Sequence, residues 1–460
     1  MAQLLILILI VLLASLFVGS PVFTSMGFTA VFILLVFMGS RFIHQFGLIA
    51  FLQGTSPNQL IAPMFIMMAE FLSRGSIAED IYFVLNKYLR KLKGGLALST
   101  TLACTIFAAL CGSSPATAAA IGRISVDQMI KRGYRKDFAV GTVAGGGTLG
   151  IMIPPSVTLV GYGIITETSI AKLLIAGLLP GIMLSLFMCV SIMVRTRLNP
   201  ALIGEIKVSV QNRLHASGGT EILPAANRPL LNRQADCPPG EAPSNVLQDM
   251  VRALPPLFLI VVVLGAMYTG MATPTECAGI GVIGAVLILA ALRRLTAKIY
   301  KTALMSAAKI GTMIIFMMIA GFCLSYVVSY LGIATKFAEI IVTSGTNRWF
   351  VMVSLYVLWF VLGCLMDPSA MIILTVPFVF PTLTAMGFDP IWIGIVSTLS
   401  VEIGMITPPV GLNLFVLRSS TDVPMKDIIT GTFPYVAVLL AGLIVLNIFP
   451  AISLLLPSLM

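Results

Sequence analysis

Apolar residues fill this chain in long blocks, and the polar residues gather in short clusters between them. About 20 apolar residues in helical form cross the roughly 30 Å hydrocarbon core of a bilayer. Such blocks recur from Leu4 almost to the last residue, so the pattern predicts an all-α polytopic membrane protein with roughly ten spans. Two segments interrupt it in the same way. Gly150-Ile-Met-Ile-Pro-Pro155 and Gly404-Met-Ile-Thr-Pro-Pro409 each place a double proline inside apolar sequence. Proline has no N–H and clashes with the preceding turn, so each pair breaks a membrane helix. Broken backbone survives at membrane depth only where protein or a water-filled cavity satisfies it, which points to a binding site in mid-membrane.

Each break is preceded by a second irregular segment. Between basic clusters at 87–93 and 131–136 lies an apolar stretch centred on Cys111-Gly-Ser-Ser-Pro-Ala-Thr117. Basic residues mark the cytoplasmic side, so this stretch enters and leaves by one face as a re-entrant helical hairpin, residues 96–130. A second hairpin, 349–383, centres on Gly363-Cys-Leu-Met-Asp-Pro-Ser369, with flanks poor in basic residues, and dips in from the opposite face. Pro115 to Pro154 is 39 residues and Pro368 to Pro408 is 40, and Phe65-Ile-Met-Met-Ala69 resembles Phe316-Met-Met-Ile-Ala320. Matched order with opposite sidedness is the signature of inverted-topology repeats. Scaffold helices, each set with an arm, fill 1–93 (its arm amphipathic) and 252–335. Transport cores fill 94–168, with its broken helix at 138–166, and 336–418, with its broken helix at 391–417. A connecting helix (169–196), a cytoplasmic linker (197–251) and a C-terminal helix (419–460) complete the chain. The linker is dense in Pro and Gly and lacks apolar periodicity.

Composition agrees: 58% of the 460 residues are hydrophobic and 10% charged, outside the soluble range. The net charge of +10 raises the possibility of nucleic acid, but sidedness accounts for it, and no nucleic-acid partner is expected. With 74–93, 123–137, 195–252, 293–309 and 418–426 cytoplasmic, 24 of the 28 Lys and Arg residues lie inside, and both termini fall on the periplasmic face. The run from Leu4 to Val18 lacks a basic lead and reads as a retained helix. Seven cysteines without Cys-x-x-Cys pairing, and two isolated histidines, His44 and His215, offer no transition-metal or redox centre.

The chemistry therefore has to come from hydroxyls, carboxylates and backbone groups at tips and breaks. Cations take oxygen ligands, and anions favour helix N-termini. The first tip offers Gly112, Ser113, Ser114 and Thr117, and its break offers Gly145 to Gly147, Thr148, Gly150 and the carbonyls before the prolines, together a Na⁺ site. Small hydroxyl residues also pack membrane helices, so packing is the competing reading. In the second half the tip carries Asp367 and Ser369. Asp367 faces a cavity, a cation or a partner, or else caps the hairpin turn. Glu402 shapes the break, pairs structurally or senses protons. Glu70 is read as an ion pair with Arg74 at i+4, and Glu276 as a carboxylate suited to the dipole of a helix that begins after Pro274, with Thr273 or Thr275 as its cap.

Four segments together resemble the large membrane permease subunit of tripartite ATP-independent periplasmic (TRAP) transporters. They are Gly112-Ser-Ser-Pro-Ala-Thr-Ala-Ala-Ala-Ile-Gly122, Gly147-Thr-Leu-Gly-Ile-Met-Ile-Pro-Pro-Ser156, Ala272-Thr-Pro-Thr-Glu-Cys-Ala278 and Glu402-Ile-Gly-Met-Ile-Thr-Pro-Pro-Val-Gly-Leu-Asn413. The resemblance implies a Na⁺-coupled symporter of the elevator type in a bacterial inner membrane. It would import organic anions such as C4-dicarboxylates or sugar acids, with no cofactor beyond Na⁺ as coupling ion. A small four-helix membrane subunit and a periplasmic substrate-binding protein are its implied partners. Carried onto this chain, one Na⁺ site comprises Ser113, Ser114, Gly147, Gly150, Ile153 and Pro154. A second comprises Asp367, Ser369, Gly404, Ile406, Thr407 and Pro408. Substrate sits between the tips, with Ser114, Thr117, Asp367 and Ser369 as candidates. The alternatives are a divalent-anion/Na⁺ symporter that works without a binding protein and, more remotely, a membrane-embedded enzyme, for which the chain lacks a nucleophile, base or metal cluster.

Overall fold

A computed structural model describes residues 2–204, 246–343 and 345–460. Most of the 197–251 linker, with His215 and Cys237, lies outside the described residues. Those that are described form helices and connections, without a strand. The first half holds α1 (Ala2–Phe17), α2 (Val22–Ile33), α3 (Ile43–Gly54), α4 (Ile61–Arg74), α5 (Ile77–Leu89), α6 (Gly95–Cys111), α7 (Ser114–Lys131), α8 (Lys136–Thr148), α9 (Val157–Thr166), α10 (Ile170–Ala176) and α11 (Leu178–Leu198). The second half opens with α12 (Val246–Tyr268), α13 (Pro274–Ala291), α14 (Ala297–Tyr330) and α15 (Ile333–Thr343). It continues through α16 (Arg348–Gly363), α17 (Pro368–Ala385), α18 (Pro390–Met405), α19 (Leu412–Ser420), α20 (Met425–Ile448) and α21 (Ala451–Ser458).

By length and composition five of the described helical segments are long and apolar enough to cross a membrane, or six if α4 and α5, bent by 61°, count as one. Shorter apolar helices include a first arm of each hairpin (α6 and α16) and one half of each broken helix (α9 and α18). Each hairpin is two antiparallel arms, α6 with α7 and α16 with α17, joined through Gly112–Ser113 and through residues 364–367. Each broken helix follows its hairpin, α8 then α9 and α18 then α19, and a cis Pro–Pro bond lies in each break. The order arm, hairpin, broken helix and long helix thus occurs twice, which is the inverted-repeat architecture.

Local chemistry sets the boundaries. Proline stands in the first turn of α7, α13, α17 and α18, where its missing N–H has no partner to lose. Thr273 and Glu276 form a complete capping box on α13, and Asp389 caps α18 through the amides of Ile391 and Trp392. Around the tips and breaks the two halves interlock. The second arm of each hairpin packs on the half-helix beyond the other repeat's break, α7 on α19 and α17 on α9. The scaffold is built from α4 against α13 and α14, with α2 and α3 on α14.

One ion pair fastens the arm to that scaffold. Arg294, just after α13, donates two hydrogen bonds to the Asp80 carboxylate, at 2.5 and 3.1 Å, and a third to the Gly75 carbonyl at 3.0 Å. The carboxylate in turn raises the pKa of the guanidinium. Hydrogen bonds to charged partners contribute about 1.5–3 kcal/mol. Asp80→Ala should therefore lower the unfolding temperature of the detergent-purified protein by several degrees while residual uptake at room temperature keeps its wild-type substrate affinity; an unchanged melting curve would show that the pair contributes nothing.

Candidate functional site

The first tip is shaped by backbone. Gly112 ends α6 with φ of +64°, a left-handed conformation that residues with a Cβ rarely adopt, and a Cβ there would stand 2.2 Å from the Pro155 carbonyl oxygen. Its own carbonyl accepts from the Val157 amide at 3.5 Å, so the tip lies against the break of its own repeat. Gly150 approaches the same tip, with space for a Cβ blocked at 2.6 Å by the Ser113 oxygen. Ser113, Ser114, Gly150 and the Pro154–Pro155 segment are thus brought together. Gly147 lies a turn earlier against Ala118, and Ile153 turns its side chain toward Gly181.

The second repeat repeats this arrangement with different side chains. The Cys364 carbonyl accepts from the Gly411 amide at 2.8 Å, and the Cys364 thiol donates to the Pro408 carbonyl at 3.7 Å. Gly404 meets Gly363 and the Phe360 carbonyl, backbone to backbone. Thr407, two residues past the end of α18, donates its hydroxyl back to the Ile403 carbonyl of that helix. Gly404 and Pro408 therefore gather against residues 363–364 of the tip, while Asp367 and Ser369 stand at its far end.

Between the two tips lies a cavity of about 120 Å³. Ser113 and Pro115 line it from the first tip, Asp367 and Ser369 from the second, Thr158 from beyond the first break, and Glu70 from scaffold helix α4. Ser369 and Thr158 share a hydroxyl hydrogen bond of 3.2 Å. The helix ends here are unlike. Asp367 closes the N-terminus of α17, its carboxylate accepting from Ser369 N at 3.0 Å and Ala370 N at 3.4 Å. Ser113 makes no side-chain cap on α7, and Ser113, Pro115 and Ala116 of that N-terminus line the cavity. A helix N-terminus with free N–H groups favours an anion.

Two substrate candidates from the sequence are placed elsewhere. Thr117 is fully buried and returns its hydroxyl to the Ser113 carbonyl. Ser114 is also fully buried, donates to Glu402 Oε2 at 3.2 Å and accepts from Asn413 Nδ2 at 2.7 Å. Neither lines the cavity. A β-hydroxyl in the first turn of a helix points sideways, and here the sideways neighbour is the other repeat. Glu70 forms the ion pair with Arg74, at 2.8 Å, and also lines the cavity. That second role carries no signal in the sequence beyond the helical spacing.

A model of the family described as the tripartite ATP-independent periplasmic transporter, DctM component, matches residues 9–452 of the chain. Among curated relatives, a C4-dicarboxylate TRAP transporter large permease protein from Pseudomonas aeruginosa is 34% identical, covering 87% of this chain and 86% of its own. An ectoine TRAP transporter large permease protein from Halomonas elongata is 31% identical over 88% of each chain. Among solved structures, the YdaH transporter of Alcanivorax borkumensis aligns with a TM-score of 0.54 at 16% identity, covering 92% of this chain and 89% of that one, a likeness of fold.

Proposed function

The chain belongs to the large permease subunits of TRAP transporters, and from that membership we propose that it carries an organic anion across a bacterial inner membrane, driven by Na⁺. It is a multi-pass transport protein and not an enzyme, as its relatives' names agree. The observation that carries the anion reading is the cavity between the tips, with the uncapped α7 N-terminus on one wall and hydroxyls of Ser113, Thr158 and Ser369 around it. Relatives are named for a dicarboxylate and for ectoine, so membership leaves the substrate open.

Na⁺ ions at the two tip–break contacts would supply the positive charge that no Arg or Lys side chain brings to the cavity wall among the described residues. The first would use Ser113 and the Gly150 to Pro154 backbone, the second the Asp367 tip with Gly404 and Pro408. Ions that bind only the ordered tips shift the population toward the substrate-competent form, which is the coupling. Movement of the two-hairpin module against the α4, α13 and α14 scaffold would then carry ions and substrate together. The partners are a small membrane subunit and a periplasmic binding protein, with both chain termini periplasmic. The tripartite make-up of the family disfavours a carrier without a binding protein.

Uptake into proteoliposomes holding the permease and the small subunit, with the binding protein outside, tests this. Replacing an inward Na⁺ gradient by K⁺ should reduce uptake to background. Equal uptake in K⁺ would remove Na⁺ coupling.

A further inference from the structure

Glu402 and Asn413 flank the second break, on α18 and α19, and both are buried, at 1% and 0% exposure. Between them sits the hydroxyl of Ser114, from the tip of the opposite repeat. Serine carries one hydroxyl hydrogen. It is given to Glu402, so the contact with Asn413 is donated by the amide nitrogen, and the amide oxygen faces elsewhere. That leaves Glu402 Oε1 and Asn413 Oδ1 without any hydrogen-bond partner. Two orphaned acceptors, one of them on a carboxylate, thus stand on the two side chains that the Ser114 hydroxyl bridges.

Leaving them so is costly. A buried polar atom without a partner loses about 1–3 kcal/mol, and a buried carboxylate without a counter-charge loses more. No Lys, Arg or His forms an ion pair with Glu402 among the described residues, and the other charge that bears on it is a second carboxylate, Asp367. A proton would neutralise the carboxylate and still leave Asn413 Oδ1 without a partner, whereas a bound cation can take both oxygens as ligands. A single carboxylate with one amide oxygen and one hydroxyl balances a monovalent ion, whereas a divalent ion would leave a net positive charge buried.

We propose that Glu402, Asn413 and Ser114 form a third alkali-cation site, occupied by Na⁺ and placed between the repeats rather than within either one. Ion occupancy here holds the first hairpin tip against the second break, so the two halves of the site become ordered together. The inference rests on Na⁺ coupling, and its test separates the two.

Equilibrium binding of ²²Na⁺ to the permease co-purified with its small subunit counts the ions. Glu402→Gln should bind about one Na⁺ fewer per chain than wild type, and Glu402→Asp should keep the wild-type count at weaker affinity. The thermal transition of Glu402→Gln in Na⁺-free buffer should be no lower than wild type, because a neutral amide removes the buried charge, while its stabilisation by added Na⁺ should shrink. If Glu402→Gln does not purify, Asn413→Ala, which removes one proposed ligand, should weaken Na⁺ binding and lower the slope of its binding curve. Equal ion counts and equal affinities in wild type and these variants would overturn this site alone. No saturable Na⁺ binding by the wild type would overturn Na⁺ coupling as well.

Discussion

Asp367→Ala should abolish uptake and still reach the membrane as a folded protein. The carboxylate caps α17 through Ser369 N and Ala370 N and lines the cavity between the tips. Removal of a helix cap costs about 1 kcal/mol, too little to unfold a chain whose halves interlock through two hairpins. The loss in transport should be far larger, roughly 100-fold or about 3 kcal/mol, because the Asp367 charge on the cavity wall would stabilise the ion-loaded form beyond what its cap contributes to the empty one. Asp367→Asn separates the two roles. Its amide oxygen still accepts from the same amides, so near-normal uptake would show that capping is the whole function, and loss matching that of Asp367→Ala would show that charge is required. Uptake by radiolabelled substrate, normalised to the amount of permease in the membrane, reads both variants, and full activity of Asp367→Ala would take the residue out of the site.

What the sequence made legible was chemistry that acts within a few residues. Two Pro–Pro pairs in apolar sequence announced the breaks, since a missing N–H is a local fact. The i,i+4 spacing gave the Glu70–Arg74 pair. A cap at the start of the helix after Pro274 was readable because its partners lie in one turn, and the structure settles the choice between Thr273 and Thr275 on Thr273. Ser114 shows where such reading stops. Its two partners lie 288 and 299 residues away on the other repeat, and nothing in a serine beside a proline says which neighbour its hydroxyl will face. The same holds for Ser369 with Thr158, 211 residues apart. Symmetry in the sequence placed each tip with its own break, and that proximity exists through the backbone of Gly112, Gly150, Gly363 and Gly404. The side chains instead reach across to the other repeat, so contacts between repeats are carried by residues that a repeat comparison assigns to one repeat alone.

Gly150→Ala and Gly404→Ala should each remove most transport, for the same reason in opposite halves. A methyl at Gly150 would stand 2.6 Å from the Ser113 oxygen and 2.9 Å from Ser114 Cα, and one at Gly404 2.5 Å from the Phe360 oxygen and 2.8 Å from the Gly363 backbone. Comfortable contacts for carbon are about 3.5–4.0 Å. All these obstacles are backbone, which no rotamer change can move aside, so tip and break must separate by roughly 1 Å. A misplacement of that size in a positioned site costs about 100-fold, and here it falls on the oxygens that would ligate the coupling ion. Half-maximal Na⁺ concentration should rise with it, which distinguishes a spoiled ion site from a general loss of fold. Gly265→Ala is the matching control. Its Cβ meets nothing within 4 Å on α12, and alanine is the better helix former, so uptake and Na⁺ dependence should stay at wild-type values. Wild-type Na⁺ dependence in Gly150→Ala would mean that the tight approach of tip to break is not the geometry that binds the ion, whereas loss in both variants with Gly265→Ala intact would assign Na⁺ dependence to the two tip–break contacts.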